Sequence, residues 1–149
     1  MNYTVLEELY HGAARYLEIG YYPELRVLYW KWFGLLPTQT LREGFNRVLH
    51  QVWNHQPLGC VPDLRELQGG WSPENNAMLV QATQEAIAYG RTYRIGIVLG
   101  GNPDVLTRVS TDSYRLAGLP NIRTFYTLEA AVLWASGEDG NPPPLLTPE

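Results

Sequence analysis

The sequence predicts an α/β fold, in which helices pack on a mixed, mostly parallel five-stranded sheet. One observation is a hairpin pattern, since two β-rich segments, residues 15–22 and 25–33, flank a turn at Pro23. A second is the apolar run of residues 94–99 (RIGIVL), which is typical of a central parallel strand. A third is a set of helix-start signals, found at Thr40, Ser72, Asn102 and Thr127. Together they predict the order ββαβαβαβα.

The two segments of the predicted hairpin support a sheet in different ways. Residues 15–22 (RYLEIGYY) alternate apolar with polar side chains, as a half-exposed strand does. Residues 25–33 (LRVLYWKWF) are rich in β-branched and aromatic residues. In that second strand Leu28, Trp30 and Trp32 share one face, which we expect to be core.

The first two helices are predicted from their caps and their periodicity. Thr40 and Glu43 form a capping box, and apolar residues at helical spacing extend that helix to about residue 54. Ser72 followed by Pro73 predicts the N-cap and first turn of a second helix, which ends near residue 89. Gly90 is expected to terminate it in a left-handed conformation.

The remaining segments complete a single predicted domain over residues 1–136. Residues 102–118 are predicted to form a third helix, and Thr127 is expected to cap a final helix that runs to residue 136. Residues 137–149 are rich in proline and acidic, which is typical of a flexible tail. Residues 1–12 fit either a helical turn or a strand.

The connections place the candidate loops at one end of the sheet. Residues 58–63 are predicted to be the third strand, followed by a polar loop over residues 64–71. Because βαβ crossovers are right-handed, strands two to five lie parallel and side by side, with the first strand antiparallel at the edge. Loops after the carboxyl ends of parallel strands are the usual place for a site. This rim comprises residues 35–39, 64–71, 100–102 and Thr127.

Composition narrows the class of protein. The chain has 149 residues, which suits one domain with a core of its own. Its net charge is −4 and Lys31 is its one lysine, which argues against binding to a nucleic-acid backbone. The single cysteine, Cys60, fits a reducing compartment. No basic leader and no apolar run of membrane-spanning length is present, so we expect a cytoplasmic protein without a membrane span.

Five stretches carry a resemblance to a known superfamily: WKWFG, PDLREL, SPEN, RIGIVLGGNP and FYTLEAAVLWAS. In order and spacing they resemble the STAS-like (SpoIIAA-like) domains, above all small bacterial members, over residues 15–136. The resemblance implies regulatory protein–protein binding. In the anti-sigma-factor antagonists of that superfamily, a Ser or Thr in a D-S-S-G-like turn is phosphorylated. Here that turn reads Gly70-Trp71-Ser72-Pro73, which keeps a serine and lacks the other motif residues. The related CRAL-TRIO domains suggest an apolar ligand instead.

The candidate contact surface is the rim around the third strand. Its members are Asp63, Arg65, Trp71, Ser72, Gly100, Gly101 and Asn102. Each has a simpler structural explanation. If Ser72 were phosphorylated, the phosphate group would place negative charge at a helix N-terminus. A serine that only caps the helix needs no further function to explain its presence. Asp63 and Arg65 either bind a ligand or partner, or pair with each other or with Glu66 at the surface. Trp71 either anchors a partner or folds back on its own helix start, and the glycines serve in turns.

No catalytic or metal-binding pattern stands in the sequence. The histidines are His11, His50 and His55, and the last two are five residues apart with no intervening acid, which does not match a helical zinc motif. Cys60 lies in an apolar segment and is expected to be an inert core thiol. No GxSxG elbow is present. We therefore predict no catalytic residue, no metal and no cofactor.

The hairpin suggests self-association, because aromatic residues on an edge strand invite a second copy. Tyr16, Tyr29 and Lys31 are expected to lie on its more polar face and to form a homodimer contact. The predicted function is a non-catalytic regulatory or protein-interaction module. The alternative is a small-molecule-binding domain that takes an apolar, anionic or lipid-like ligand at the carboxyl rim of the sheet.

Overall fold

A six-stranded mixed sheet organises the chain, and the computed structural model describes residues 2–68, 72–90, 94–101 and 121–137. The strands are β1 (Thr4–His11), β2 (Ala14–Tyr22), β3 (Val27–Gly34), β4 (Gly59–Leu67), β5 (Arg94–Val98) and β6 (Ile122–Phe125). The described helices are α1 (Thr38–His55), α2 (Pro73–Gly90) and α3 (Leu128–Ser136). The predicted helix at residues 102–118 and the predicted tail after residue 137 lie outside the described residues.

The strands lie in sequence order across the sheet, β1-β2-β3-β4-β5-β6. The first three form an antiparallel meander, and β3 to β6 are parallel. The α/β class and the parallel arrangement of the later strands are thus confirmed. No described helix is long and apolar enough to cross a bilayer.

The predicted strand count and sheet edge are wrong, because β1 adds a sixth strand outside β2. Its pattern is hard to read in the sequence, since the β1–β2 register shifts twice, between Val5 and Glu7 and between Leu9 and Tyr10. Each shift inserts an extra residue into one strand, which breaks the period-two alternation by which strands are recognised. The strand of residues 15–22 is therefore internal.

Helix α1 begins two residues earlier than its predicted cap. Pro37 occupies the N-cap position without a side-chain cap bond, and its carbonyl accepts the backbone N–H of Leu41 at 3.0 Å. The predicted capping box at Thr40 is wrong, since Thr40 lies buried inside the first turn. Pro37 fixes its own φ near −60° and so starts the helix without a polar cap.

The later helix starts agree with the predicted caps. Ser72 Oγ accepts the backbone N–H of Asn75 at 3.1 Å, and Thr127 Oγ1 accepts that of Ala130 at 3.3 Å. Gly137 ends α3 in the left-handed conformation, with φ of 81°. The cap explanation of Ser72 is therefore confirmed.

Two apolar layers hold the helices to the sheet. On one face, α1 packs on buried side chains of β2, β3 and β4, among which Leu17, Trp32 and Leu64 have almost no exposed surface. On the other face, α3 packs mainly over β4 and β5. No described helix covers β1 and β2 on that second face. The side chains on that face belong to the candidate site.

Candidate functional site

Asp63 lies inside β4, and its carboxylate is completely buried. The prediction that the strand ends at this residue is wrong, since β4 continues to Leu67. The β3–β4 register shifts between Lys31 and Phe33, which inserts one extra residue into β4 just beyond Asp63. At this bulge the backbone N–H of Arg65 donates to Asp63 Oδ1 at 3.0 Å. The Asp63 side chain therefore bonds to the backbone of its own strand at the point where β4 is bulged.

Asp63 accepts hydrogen bonds from two other side chains. Arg65 donates through Nε to Oδ1 at 3.0 Å and through Nη2 to Oδ2 at 2.7 Å. The Tyr29 hydroxyl, on the neighbouring strand, donates to Oδ2 at 2.6 Å. A buried carboxylate that has several charge-assisted bonds is a stable arrangement. We call Tyr29, Asp63 and Arg65 the buried triad.

The pKa shifts in the buried triad fix each member in one protonation state. Burial alone would raise the pKa of Asp63, but hydrogen bonds from Arg65 and Tyr29 outweigh it and hold that pKa below its usual value. Burial, and then the bond to the Asp63 carboxylate, raise the pKa of Tyr29 far above its ordinary value. The bond to Asp63 also raises the pKa of Arg65, against the effect of burial. None of the three is poised for proton transfer near neutral pH.

A second network lies beside the buried triad on β1 and β2. The Tyr3 hydroxyl donates to Glu18 Oε2 at 2.6 Å, and Arg15 Nη1 donates to Glu18 and Glu8 at 2.9 Å each. The Tyr3 ring lies directly against Gly20, where a Cβ would overlap it. Its centroid is 5.8 Å from that of Tyr29, which joins the two networks.

The sequence pattern does not predict Tyr3 and Glu18 as members of this site. Their contact depends on the β1–β2 pairing, and β1 was not assigned as a strand. The available signal was the alternation in residues 15–22, which already places Glu18 and Gly20 on the same face.

Strand register aligns charged residues in one row across the sheet. Glu8, Glu18, Lys31 and Asp63 are successive cross-strand neighbours on β1 to β4. Lys31 Nζ lies 5.2 Å from the centroid of the Phe33 ring, over which the Arg15 guanidinium also lies, at 4.5 Å. We call this surface the polar sheet face; its members are Tyr3, Glu8, Arg15, Glu18, Tyr29, Lys31, Phe33, Asp63 and Arg65.

The structure brings some of the predicted rim residues together. Gly100 lies against Arg65, since a Cβ at Gly100 would be 2.9 Å from the Arg65 carbonyl oxygen. Gly100 is therefore a close-approach glycine rather than only a turn residue. Gly101 is exposed with open space around it, and Ser72 is occupied as a helix cap. Trp71 and Asn102 lie outside the described residues.

The residues of the predicted homodimer contact do not lie on a sheet edge. β1 pairs with β2, so the strands that contain Tyr16, Tyr29 and Lys31 are both internal. Tyr16 and Tyr29 are 8% and 4% exposed. Tyr16 packs in the core layer on the α1 side, because the bulge beside it breaks the alternation that would place it with Tyr29.

Metal ligands are not clustered in the described part of the chain. No group of three or more His, Cys, Asp or Glu there is arranged to hold an ion. The His55 ring packs against that of Tyr21 in a tilted arrangement, with ring centroids 4.6 Å apart, and Cys60 is buried in the core. Comparison of the chain with family models, curated proteins and solved structures gives no significant match.

Proposed function

We propose that this protein is a non-catalytic interaction module of STAS-like type, which binds a protein partner through the polar sheet face around Arg65. The observation that carries the proposal is the buried triad. Its carboxylate, phenol and guanidinium each keep one protonation state, and each bonds to another member. Such a set holds a surface in shape and does not suit acid–base chemistry.

Arg65 is the residue through which we expect the partner to be recognised. Its side chain is 35% exposed, while Nε and Nη2 are held by the buried Asp63 carboxylate. A guanidinium that is already fixed loses little freedom on binding, and arginine beside tyrosine is typical of binding hot spots. The geometry suits a carboxylate or carbonyl oxygen on the partner.

The neighbouring charges favour a specific rather than a general electrostatic contact. The polar sheet face carries Glu8 and Glu18 as well as Arg15 and Lys31, so charges of both signs lie on it. A partner must therefore match a pattern of charge and not a single sign.

The test is capture of the partner by wild-type protein and by an Arg65→Lys variant from cells that naturally make it, after chemical cross-linking. Lysine keeps the positive charge beside Asp63 and removes the planar, multidentate contact. We expect the variant to lose at least about tenfold of a partner captured by the wild type. Arg123→Lys, at an exposed position of β6, is the matched control and should not alter capture.

Two outcomes would contradict the proposal. One is equal capture of the same partner by the wild type and Arg65→Lys, with circular dichroism showing that both are folded. The other is the absence of any captured partner together with turnover of a small molecule by the purified protein.

A further inference from the structure

A groove lies between helices α1 and α2, on the side of the sheet opposite the polar sheet face. Its larger part is a cavity of about 490 Å³, whose apolar lining includes Phe45, Leu49 and Met78. A second cavity, of about 470 Å³, shares Leu49 with the first and extends it along α1 to Trp53. We call this surface the α1–α2 groove.

The groove exposes apolar side chains that the core leaves uncovered. Trp53 is 64% exposed, although tryptophan side chains are highly buried on average. Leu49 and Met78 are only partly buried, since each packs against the core and also lines the groove. An exposed aromatic side chain beside a row of apolar ones, with polar residues around them, is typical of a binding surface.

The two helices are held together at the end of the groove where both begin. The Thr38 hydroxyl donates to Asn75 Oδ1 at 3.1 Å, and Asn75 Nδ2 donates to the Leu36 carbonyl oxygen at 3.3 Å. Asn75 is 4% exposed, so these bonds lie inside the contact between the helices. The groove is therefore already formed before anything binds, which lowers the entropic cost of binding.

The two sides of the groove carry opposite charge. Arg42 lines it on α1, whereas Glu74 and Glu85 line it on α2. In the described part of the chain, no ion pair joins these groups across the groove. Residues 73–90 contain no lysine or arginine, so no cation of α2 itself offsets its two acids. The α2 side therefore favours cations on a bound partner.

The spacing of the two glutamates matches a helical partner. Glu74 and Glu85 are eleven residues apart, which is three turns of α2, or about 16 Å. A helix that lies along the groove has the same repeat, so lysine or arginine at its positions i and i+11 reaches both acids. Apolar residues at intervals of three and four along that helix then lie over the row from Phe45 to Trp53.

Charge separates this occupant from two others that the chain itself supplies. A second copy of the chain brings a net charge of −4, and residues 138–149 contain three acids and no lysine or arginine. Both repeat the sign of the α2 side of the groove, which disfavours them there.

We propose that the α1–α2 groove binds a basic amphipathic helix of a partner protein. The apolar stripe of that helix packs on the row from Phe45 to Trp53. Cations along one flank of the helix pair with Glu74 and Glu85. This is a second interaction surface, on the opposite side of the sheet from the polar sheet face, and either proposal stands if the other fails.

The test uses a synthetic helical peptide as the probe. It has about 18 residues, with leucines along one face and lysines on one flank at positions i and i+11. One control peptide has the same composition in scrambled order, and the other has glutamates in place of the lysines. Isothermal titration calorimetry with the full chain should show that the probe binds at least about tenfold more tightly than either control.

A pair of double variants tests the charges of the groove. Glu74→Gln/Glu85→Gln should bind the probe at least about tenfold more weakly, because both acids that face its lysines are neutralised. Glu43→Gln/Glu129→Gln removes the same amount of charge at exposed positions that do not line the groove. This control should keep the wild-type affinity, which separates a local contact from general attraction to an acidic protein.

A second pair of variants tests the apolar part of the groove. Trp53→Ala should also weaken binding of the probe at least about tenfold, since it removes the largest exposed apolar side chain there. Tyr126→Ala, at an aromatic residue that is 72% exposed and does not line the groove, should leave the affinity unchanged. Circular dichroism checks that each variant is folded.

Four results would overturn the proposal. They are no binding of the probe at millimolar concentration, equal binding of the probe and the scrambled peptide, unchanged affinity in folded Glu74→Gln/Glu85→Gln, and a dimer that Trp53→Ala dissociates. The last result, measured by sedimentation velocity, would assign the groove to a second copy of the chain. Arg65→Lys should bind the probe as wild type does, so these results are distinguishable from a failure of partner capture through Arg65.

Discussion

Asp63 shows why single residues in this site were only partly predictable from the sequence. Its pairing with Arg65, two positions away, was one of three interpretations that the sequence allowed, beside pairing with Glu66 and contact with a ligand or partner, and the structure shows this pair. Its complete burial was not predictable, because Pro62 and the charges that follow it read as a strand end. The bulge and the bond from Tyr29 keep an acid inside the strand, and both depend on the β3–β4 register.

Replacing Asp63 with asparagine should lower the free energy of unfolding by about 2–4 kcal/mol. The substitution keeps the shape but leaves Arg65 without its counter-charge, and the partial exposure of Arg65 keeps the loss below that of a fully buried pair. Urea unfolding monitored by tryptophan fluorescence measures this change in the free energy of unfolding. Glu129→Gln, at an exposed position of α3, is the control and should change stability by less than about 0.5 kcal/mol. A change of that small size for Asp63→Asn would show that the triad does not stabilise the fold.

Wild type and Asp63→Asn also test the lowered pKa of Asp63. Because the folded state holds this pKa below the ordinary value of about 3.9, its stabilisation is present above that value. This stabilisation is lost as the pH falls through the lower pKa that Asp63 has in the folded state. The stability difference between wild type and Asp63→Asn should therefore shrink as the pH falls below about 4. Urea unfolding at several pH values measures this difference. A difference that stays constant with pH would show that the pKa of Asp63 is not lowered in the folded protein.

Secondary-structure elements were predicted well where the local pattern was undisturbed. The run of residues 94–99 and the caps at Ser72 and Thr127 gave the correct elements, since each signal is contained within a few residues. β1 was missed because a bulge at Leu6 interrupts its alternation. The start of α1 was misplaced because Pro37, without a side-chain acceptor, begins the helix before the more conventional cap at Thr40.

The packing of α3 on β4 gives a prediction for a helix–strand contact. Gly59 lies against the backbone carbonyl of Ala135, so a Cβ there would overlap a rigid group. Gly59→Ala should force the helix from the sheet and lower the free energy of unfolding by about 1–3 kcal/mol or more. Gly101→Ala is the matched control, since its Cβ would meet open space. Equal denaturation midpoints for the two variants would show that α3 does not lie this close to β4.

The whole molecule ties its antiparallel and parallel halves together through aromatic side chains. Tyr3 contacts both Tyr22 and Tyr29, and Tyr29 in turn bonds to Asp63 on the first parallel pair of strands. β1 is also held to α1, since Glu7 accepts hydrogen bonds from Arg47 and Gln51. Which tyrosines joined which strands depended on long-range pairing, so the sequence alone did not reveal it.

This tyrosine network predicts how the molecule unfolds in alkali. Burial, and then the bonds to Glu18 and Asp63, raise the pKa values of Tyr3 and Tyr29 well above the ordinary value of about 10. Their stabilisation is therefore complete below pH 10 and declines as the pH rises above it, by about 1.4 kcal/mol per pH unit for each tyrosine. Absorbance at 295 nm should rise together with the loss of near-ultraviolet circular dichroism. The variant Tyr3→Phe/Tyr29→Phe should show a shallower fall of unfolding free energy between pH 10 and pH 12, whereas exposed Tyr10→Phe should follow the wild type. If the double variant keeps the wild-type slope, the two hydroxyls already ionise in the folded protein, and the network does not link the two halves as described.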